Sequence, residues 1–195
     1  MTQPVSVCVY CGSRPGTRPS YLRAAAQVGE SIGRRGWQLI YGGGRVGLMG
    51  HLADAALAAG ARVVGVIPES LMRREVGHPG LTELHVVDTM HERKRLMADR
   101  SDAFIALPGG IGTFEELFEV WSWRHLAYHD RPIGLLDADG YYQPLVALMR
   151  QAALGGFVTA DQIGMVDVDS EPEALLDLMA QKAVRAVAPD DFGRI

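Results

Sequence analysis

The run Leu107-Pro108-Gly109-Gly110-Ile111-Gly112-Thr113-Phe114-Glu115-Glu116 is where this chain of 195 residues concentrates its chemistry. The apolar residues 103–107 predict a buried strand, and the glycines a tight turn with uncovered N–H groups. Thr113 opens a segment whose apolar members, Phe114, Leu117, Phe118 and Trp121, recur at helical spacing. Strand, glycine turn and helix N-terminus together hold a phosphate, because free amides and the helix dipole both favour an anion there. Glu116, one turn into the helix, would place a carboxylate just behind that anion. Thr113-x-x-Glu116 also fits a capping box, in which Glu116 would instead bond back to the Thr113 N–H.

A second reactive group lies upstream. Met90, Arg93, Lys94 and Met97 share one helical face by their spacing, and an Arg-Lys pair on an otherwise apolar face needs an anionic partner. Gly42-x-Gly44-x-x-Gly47 matches the dinucleotide fingerprint. The acidic residue that should close the next strand is missing, since that strand ends Val66-Ile67-Pro68 and Glu69 comes late. The segment reads better as a glycine wall beside a smaller ligand, or as close packing of a helix on the sheet. Glu75 stands in a charged loop and is expected to face solvent. His91 has no second histidine at zinc spacing, so no metal site is expected. Neither a G-x-S-x-G elbow nor a Ser-His-Asp pattern is present. Cys8 and Cys11 are three apart on a strand and point to opposite faces, which suits two core cysteines and not one metal or redox pair.

These groups need a frame. Strands are predicted over 5–10, 38–41, 62–67, 84–87, 103–107, 132–136 and 163–168, and helices over 21–34, 48–59, 90–99, 114–125, 142–153 and 172–184. Strongly apolar strands alternating with helices predict an α/β fold: a single-domain, Rossmann-like, doubly wound parallel sheet with helices on both faces. Thr89-x-x-Glu92 and Ser170-x-x-Glu173 are further capping boxes, and Gly36 and Gly60 mark helix stops. One domain over 1–195 is expected, with 185–195 a loose tail. In such sheets ligands bind beyond the carboxyl ends of the strands, where the two glycine turns and the Arg-Lys pair would converge if their strands are neighbours.

Composition narrows the classes. A net charge of −4 argues against a nucleic-acid partner, and the longest apolar runs are strand-sized, so no membrane span is expected. The N-terminal residues carry no visible secretory signal, which points to the cytoplasm. Lys94 and Lys182 are the only lysines against 17 arginines, which leaves Schiff-base chemistry almost no residue to use.

Taken together, Pro108-Gly109-Gly110-Ile111-Gly112-Thr113-Phe114-Glu115-Glu116, Met90-His91-Glu92-Arg93-Lys94, the Cys11-Gly12-Ser13 turn and residues 42–50 resemble the LONELY GUY family of cytokinin riboside 5′-monophosphate phosphoribohydrolases. Ile111 departs from the tyrosine many members carry, at a position that supplies mainly backbone. The resemblance implies an N-glycosyl hydrolase that splits N6-modified adenosine 5′-monophosphates into free base and ribose 5-phosphate. It implies no cofactor and a homodimer, for which Trp121 and Trp123 would suit the interface. The family is often labelled lysine decarboxylase, a label the two lysines do not support. By resemblance the catalytic pair is Arg93 and Glu116. The substrate-binding set is Gly43, Glu75, Met90, Arg93, Lys94, Gly110, Ile111, Gly112, Thr113, Glu116 and Ser122. Two other readings stay open: a general nucleoside 5′-monophosphate nucleosidase, and a non-catalytic protein that carries a nucleotide-like cofactor.

Overall fold

The computed structural model describes residues 5–72, 76–186 and 190–191. Seven parallel strands form one sheet: β1 (Ser6–Tyr10), β2 (Gln38–Tyr41), β3 (Arg62–Pro68), β4 (Glu83–Val87), β5 (Ala103–Ala106), β6 (Ile133–Leu136) and β7 (Val166–Asp169). Their order is β4-β3-β2-β1-β5-β6-β7. The chain winds outward from β1 to β4, then returns to the other side of β1 and winds out again. The strand order therefore reverses between β1 and β5, whose partners run Val7↔Ala103 to Tyr10↔Ala106. The crevice beyond their carboxyl ends is where a doubly wound sheet binds its ligand.

Both faces of the sheet are covered, as continuous apolar strands require. Alternation along β1 sends Val7 and Val9 into one core layer and Cys8 and Tyr10 into the other. Helices α1 (Pro19–Arg34), α2 (Gly47–Ala58) and α8 (Pro172–Ala183) cover the first layer. The second is covered by α4 (Met90–Asp99) and α5 (Ile111–His125). Short α3 (Glu69–Leu71), α6 (Gln143–Leu154) and short α7 (Ala160–Ile163) are the remaining α-helices among the described residues. Cys8 and Cys11 are both buried thiols outside any disulfide and sit in opposite layers, as their spacing predicts. Burial pushes the Cys8 thiol up to about 12, so it stays an inert core group at neutral pH.

Several local expectations change. The capping box at Thr89 forms, with Thr89 and Glu92 bonding reciprocally at 3.1 and 3.2 Å. The one at Thr113 does not: α5 begins at Ile111 with Gly110 as its N-cap, which places Thr113 inside the first turn. Nor does Ser170 cap α8. Pro172 takes the first helical position, which makes Glu171 the cap. The predicted strand over 163–168 shifts to Val166–Asp169, because Thr159 and Gln162 form a capping box that winds 160–163 into α7. Gly36 and Gly60 end α1 and α2 with φ of +66° and +87°. Of the expected loose tail, residues 187–189 and 192–195 lie outside the described residues. Asp190 pairs with Arg131, and the Asp191 N–H donates to the Tyr128 carbonyl.

Candidate active site

A cleft of about 680 Å³ opens between the carboxyl ends of β1 and β5. The turn after β1 forms one wall and the turn after β5 another, and the backbone ties them together. The Leu107 N–H donates to Tyr10 O (2.9 Å) and the Gly12 N–H to Pro108 O (3.1 Å). Gly109 has to be glycine, because a Cβ there would lie 2.1 Å from the Thr113 hydroxyl. The buried Thr113 side chain thus folds back over Gly109 and shapes the turn from inside. The first amide of α5 to bond within the helix is Phe114, to the Gly110 carbonyl at 3.1 Å. The amides of Ile111, Gly112 and Thr113 precede it and reach no intrahelical acceptor. All three residues line the cleft with Gly110.

Arg93 enters from the opposite side. Helix α4 follows the edge strand β4 and runs back over β3, which carries Arg93 to the strand ends. The residue is 4% exposed. Its Nε donates to Val66 O at 3.0 Å and one terminal nitrogen to Gly42 O at 2.9 Å. Gly42 permits this approach, since a Cβ there would meet the guanidinium at 2.2 Å. Arg93 and Glu116 both line the cleft, as does Met90. Both are close enough to the Cys8 thiol to act on it electrostatically. The structure therefore brings together Met90, Arg93, Gly110, Ile111, Gly112, Thr113 and Glu116 from the expected set.

Three expected residues are placed otherwise, and a fourth, Glu75, is not among the described residues. Lys94 is turned away from the cleft into the seam between α4 and α5. There its Nζ donates to Glu115 at 2.5 Å and Glu119 at 2.8 Å. Burial alone would lower this ammonium, but the hydrogen bonds and charges of the two glutamates outweigh it and raise its pKa. The anionic partner that Lys94 needed is thus the next helix. Ser122 is exposed and off the cleft, because six residues of helix rotate it well away from Glu116. Gly43 is buried behind the wall. Its φ is +77°, and its carbonyl accepts from the His78 N–H at 3.0 Å. Sequence reasoning missed Arg14, Tyr21, Leu71 and Tyr141, which also line the cleft. They come from elements outside the two motifs, and nothing in their local spacing marks them.

The residues do not fit pyridoxal phosphate. Its Schiff base needs a lysine that can lose its proton. Lys94 is held as an ammonium by two glutamates, and Lys182 is paired with Asp167 at 2.6 Å.

Comparison with known proteins supports the same assignment. Residues 49–179 match the model of a family described as "Possible lysine decarboxylase". A cytokinin riboside 5′-monophosphate phosphoribohydrolase of Rhodococcoides fascians is 55% identical over 157 residues, covering 80% of this chain and 79% of the relative. The rice (Oryza sativa subsp. japonica) protein named cytokinin riboside 5′-monophosphate phosphoribohydrolase LOG is 49% identical over 155 residues, covering 80% of this chain and 64% of the relative. In fold, the chain is similar to a Chlamydomonas reinhardtii Moco carrier protein. The TM-score is 0.71 at 20% identity, covering 94% of this chain and 99% of that one. With Arg93 and Glu116 facing one amide-lined cleft and such close relatives over four-fifths of its length, the chain belongs to the LONELY GUY family, for all that the family model speaks of lysine decarboxylases.

Proposed function

We propose that this protein hydrolyses the N-glycosidic bond of N6-modified adenosine 5′-monophosphates, releasing the free base and ribose 5-phosphate. The observation that carries the reading is the shared cleft: Arg93 and Glu116 face the amide row at the start of α5. The 5′-phosphate rests on the amides of residues 110–113, where the helix dipole favours it. Holding that remote group fixes the sugar and lets binding energy serve the chemical step. Glycosidic cleavage passes through an oxocarbenium-like transition state with positive charge on the sugar. The Glu116 carboxylate beside the anomeric carbon stabilises that charge or directs the attacking water. Arg93, anchored by two carbonyls, orients the carboxylate or a ribose or phosphate oxygen. Leu71, Met90 and Met97 give the cleft an apolar side, which supports a base bearing a prenyl-type substituent.

Incubation with N6-prenylated and plain adenosine 5′-monophosphate, followed by chromatography for free base, tests the reading. The prenylated nucleotide should release base fastest, and the matching nucleoside without phosphate should show kcat/KM lower by about two to three orders of magnitude. Equal rates on nucleotide and nucleoside would contradict the phosphate cradle. Faster cleavage of the plain nucleotide would favour a general nucleotide nucleosidase. Ligand binding without cleavage would favour a carrier.

The working form is a homodimer in this reading. Trp121 and Trp123 are buried in their own chain, with the Trp121 indole donating to Gln162 O at 2.8 Å, so they are not the interface that sequence suggested. Helix α6 has no buried residue and carries the exposed Leu148 and Leu154, with exposed Phe157 just after its end, which supports an interface on that side. Light scattering should give twice the chain mass, and a single-chain mass would reject the dimer. The two cysteines, Cys8 and Cys11, are both thiols, which suits a reducing compartment and supports a cytoplasmic location.

A further inference from the structure

The turn after β6 reaches across to the glycine turn after β5. Asp139 and Gly140 adopt left-handed backbone there, with φ of +53° and +72°. Asp137 accepts from the Tyr142 N–H at 2.6 Å and its carbonyl from the Gly140 N–H at 3.2 Å. This tight turn presents two consecutive tyrosines to the strand above. The Tyr141 hydroxyl donates to the Gly109 carbonyl, and the Tyr142 hydroxyl donates to the Leu107 carbonyl at 2.6 Å. The Tyr141 ring is fixed on three sides. It stacks on Phe114 of α5 at 6.4 Å and meets Tyr21 and Tyr142 edge-on at 5.6 and 5.1 Å.

The two hydroxyl bonds have different consequences. A trans peptide is planar, so a carbonyl held on one side fixes the following N–H on the opposite edge. For Tyr142 that following residue is Pro108, which has no N–H to aim. For Tyr141 it is Gly110, which lines the cleft at a point where an added Cβ would meet nothing within 4 Å. The Gly109–Gly110 peptide also has no Cβ on either flank, so it has little intrinsic bias against flipping.

We propose that Tyr141 is a positioning residue for anion binding, holding the Gly109–Gly110 peptide so that the Gly110 amide faces the substrate phosphate. This rests on the reading that the phosphate docks at residues 110–113. Preorganising one amide removes a reorganisation step from phosphate binding and leaves the bond-breaking groups untouched.

Tyr141→Phe keeps the ring contacts and removes only the hydroxyl, and Tyr142→Phe is its matched control. Both are made in the full chain and titrated with inorganic phosphate and ribose 5-phosphate by calorimetry. Both are also assayed with a prenylated nucleotide and its nucleoside. Tyr141→Phe should weaken phosphate and raise the nucleotide KM by about tenfold. Its kcat should stay within about threefold and its nucleoside kcat/KM should not change. Tyr142→Phe should lower the melting temperature with phosphate affinity intact. Unchanged phosphate affinity in Tyr141→Phe, or an equal loss in both variants, would overturn the assignment. Phosphate binding by the unmodified protein without base release would refute the hydrolase reading, and the Tyr141 comparison would still decide this one. No phosphate binding at all would overturn both.

Discussion

Glu116→Gln should lower kcat by about a thousandfold while nucleotide affinity stays within a few-fold. The substitution keeps the size and hydrogen-bonding reach of the side chain and removes its charge. A carboxylate stabilises positive charge on the sugar only where that charge develops, in the transition state. In the proposed reading, binding of the ground state rests instead on the amides of residues 110–113, which the substitution does not touch. The expected signature is therefore a loss in kcat and kcat/KM alike, with the dissociation constant preserved. Steady-state kinetics with a prenylated nucleotide, paired with calorimetric titration of ribose 5-phosphate, reads both quantities. Turnover near the normal rate would leave Glu116 with no part in bond cleavage.

Arg93→Ala should damage stability and chemistry together. The guanidinium is buried and serves two carbonyls, Val66 O on β3 and Gly42 O at the end of β2. Removing it leaves both acceptors without this donor and opens a hole between strand ends. The expected cost is about 2–4 kcal/mol of unfolding free energy. Turnover should fall by at least about a hundredfold, because the same group orients the reacting partners. Arg93→Lys separates the two effects in part. A single ammonium retains the charge but lacks the rigid fork needed to hold both carbonyls. Urea unfolding gives the first quantity, and kinetics on protein shown to be folded by circular dichroism gives the second. Unaltered kinetics in Arg93→Ala would remove this residue from the site.

The sheet was legible from sequence because each strand is a short apolar run bounded by turn residues, and parallel packing follows from burial on both faces. Residues 90–99 matched as a helix to the residue, since Thr89 and Glu92 cap it as their types demand. The glycine turn after β5 was legible for a similar reason: glycines directly after an apolar strand end it in a tight turn. Side-chain direction was not. Lys94 follows Arg93 in sequence, but one residue of helix turns it by about 100°, toward Glu115 and Glu119 and out of the cleft lining. Thr113 looked like a cap because its spacing to Glu116 is correct, and only the backbone of Gly110 decides where the helix starts. Tyr141 reaches the cradle from 32 residues away, through a turn whose conformation local patterning does not predict.

The anchoring of Arg93 on two strand ends has a practical sequel. In the proposed reaction its guanidinium is at once a reagent and a cross-tie, so a change there that silences the enzyme also loosens its vessel. Glu116 stands on α5, and its substitution leaves both of those carbonyl bonds in place. An inert receptor, built to capture intact nucleotides for crystallography or sensing, is better engineered at Glu116 than at Arg93.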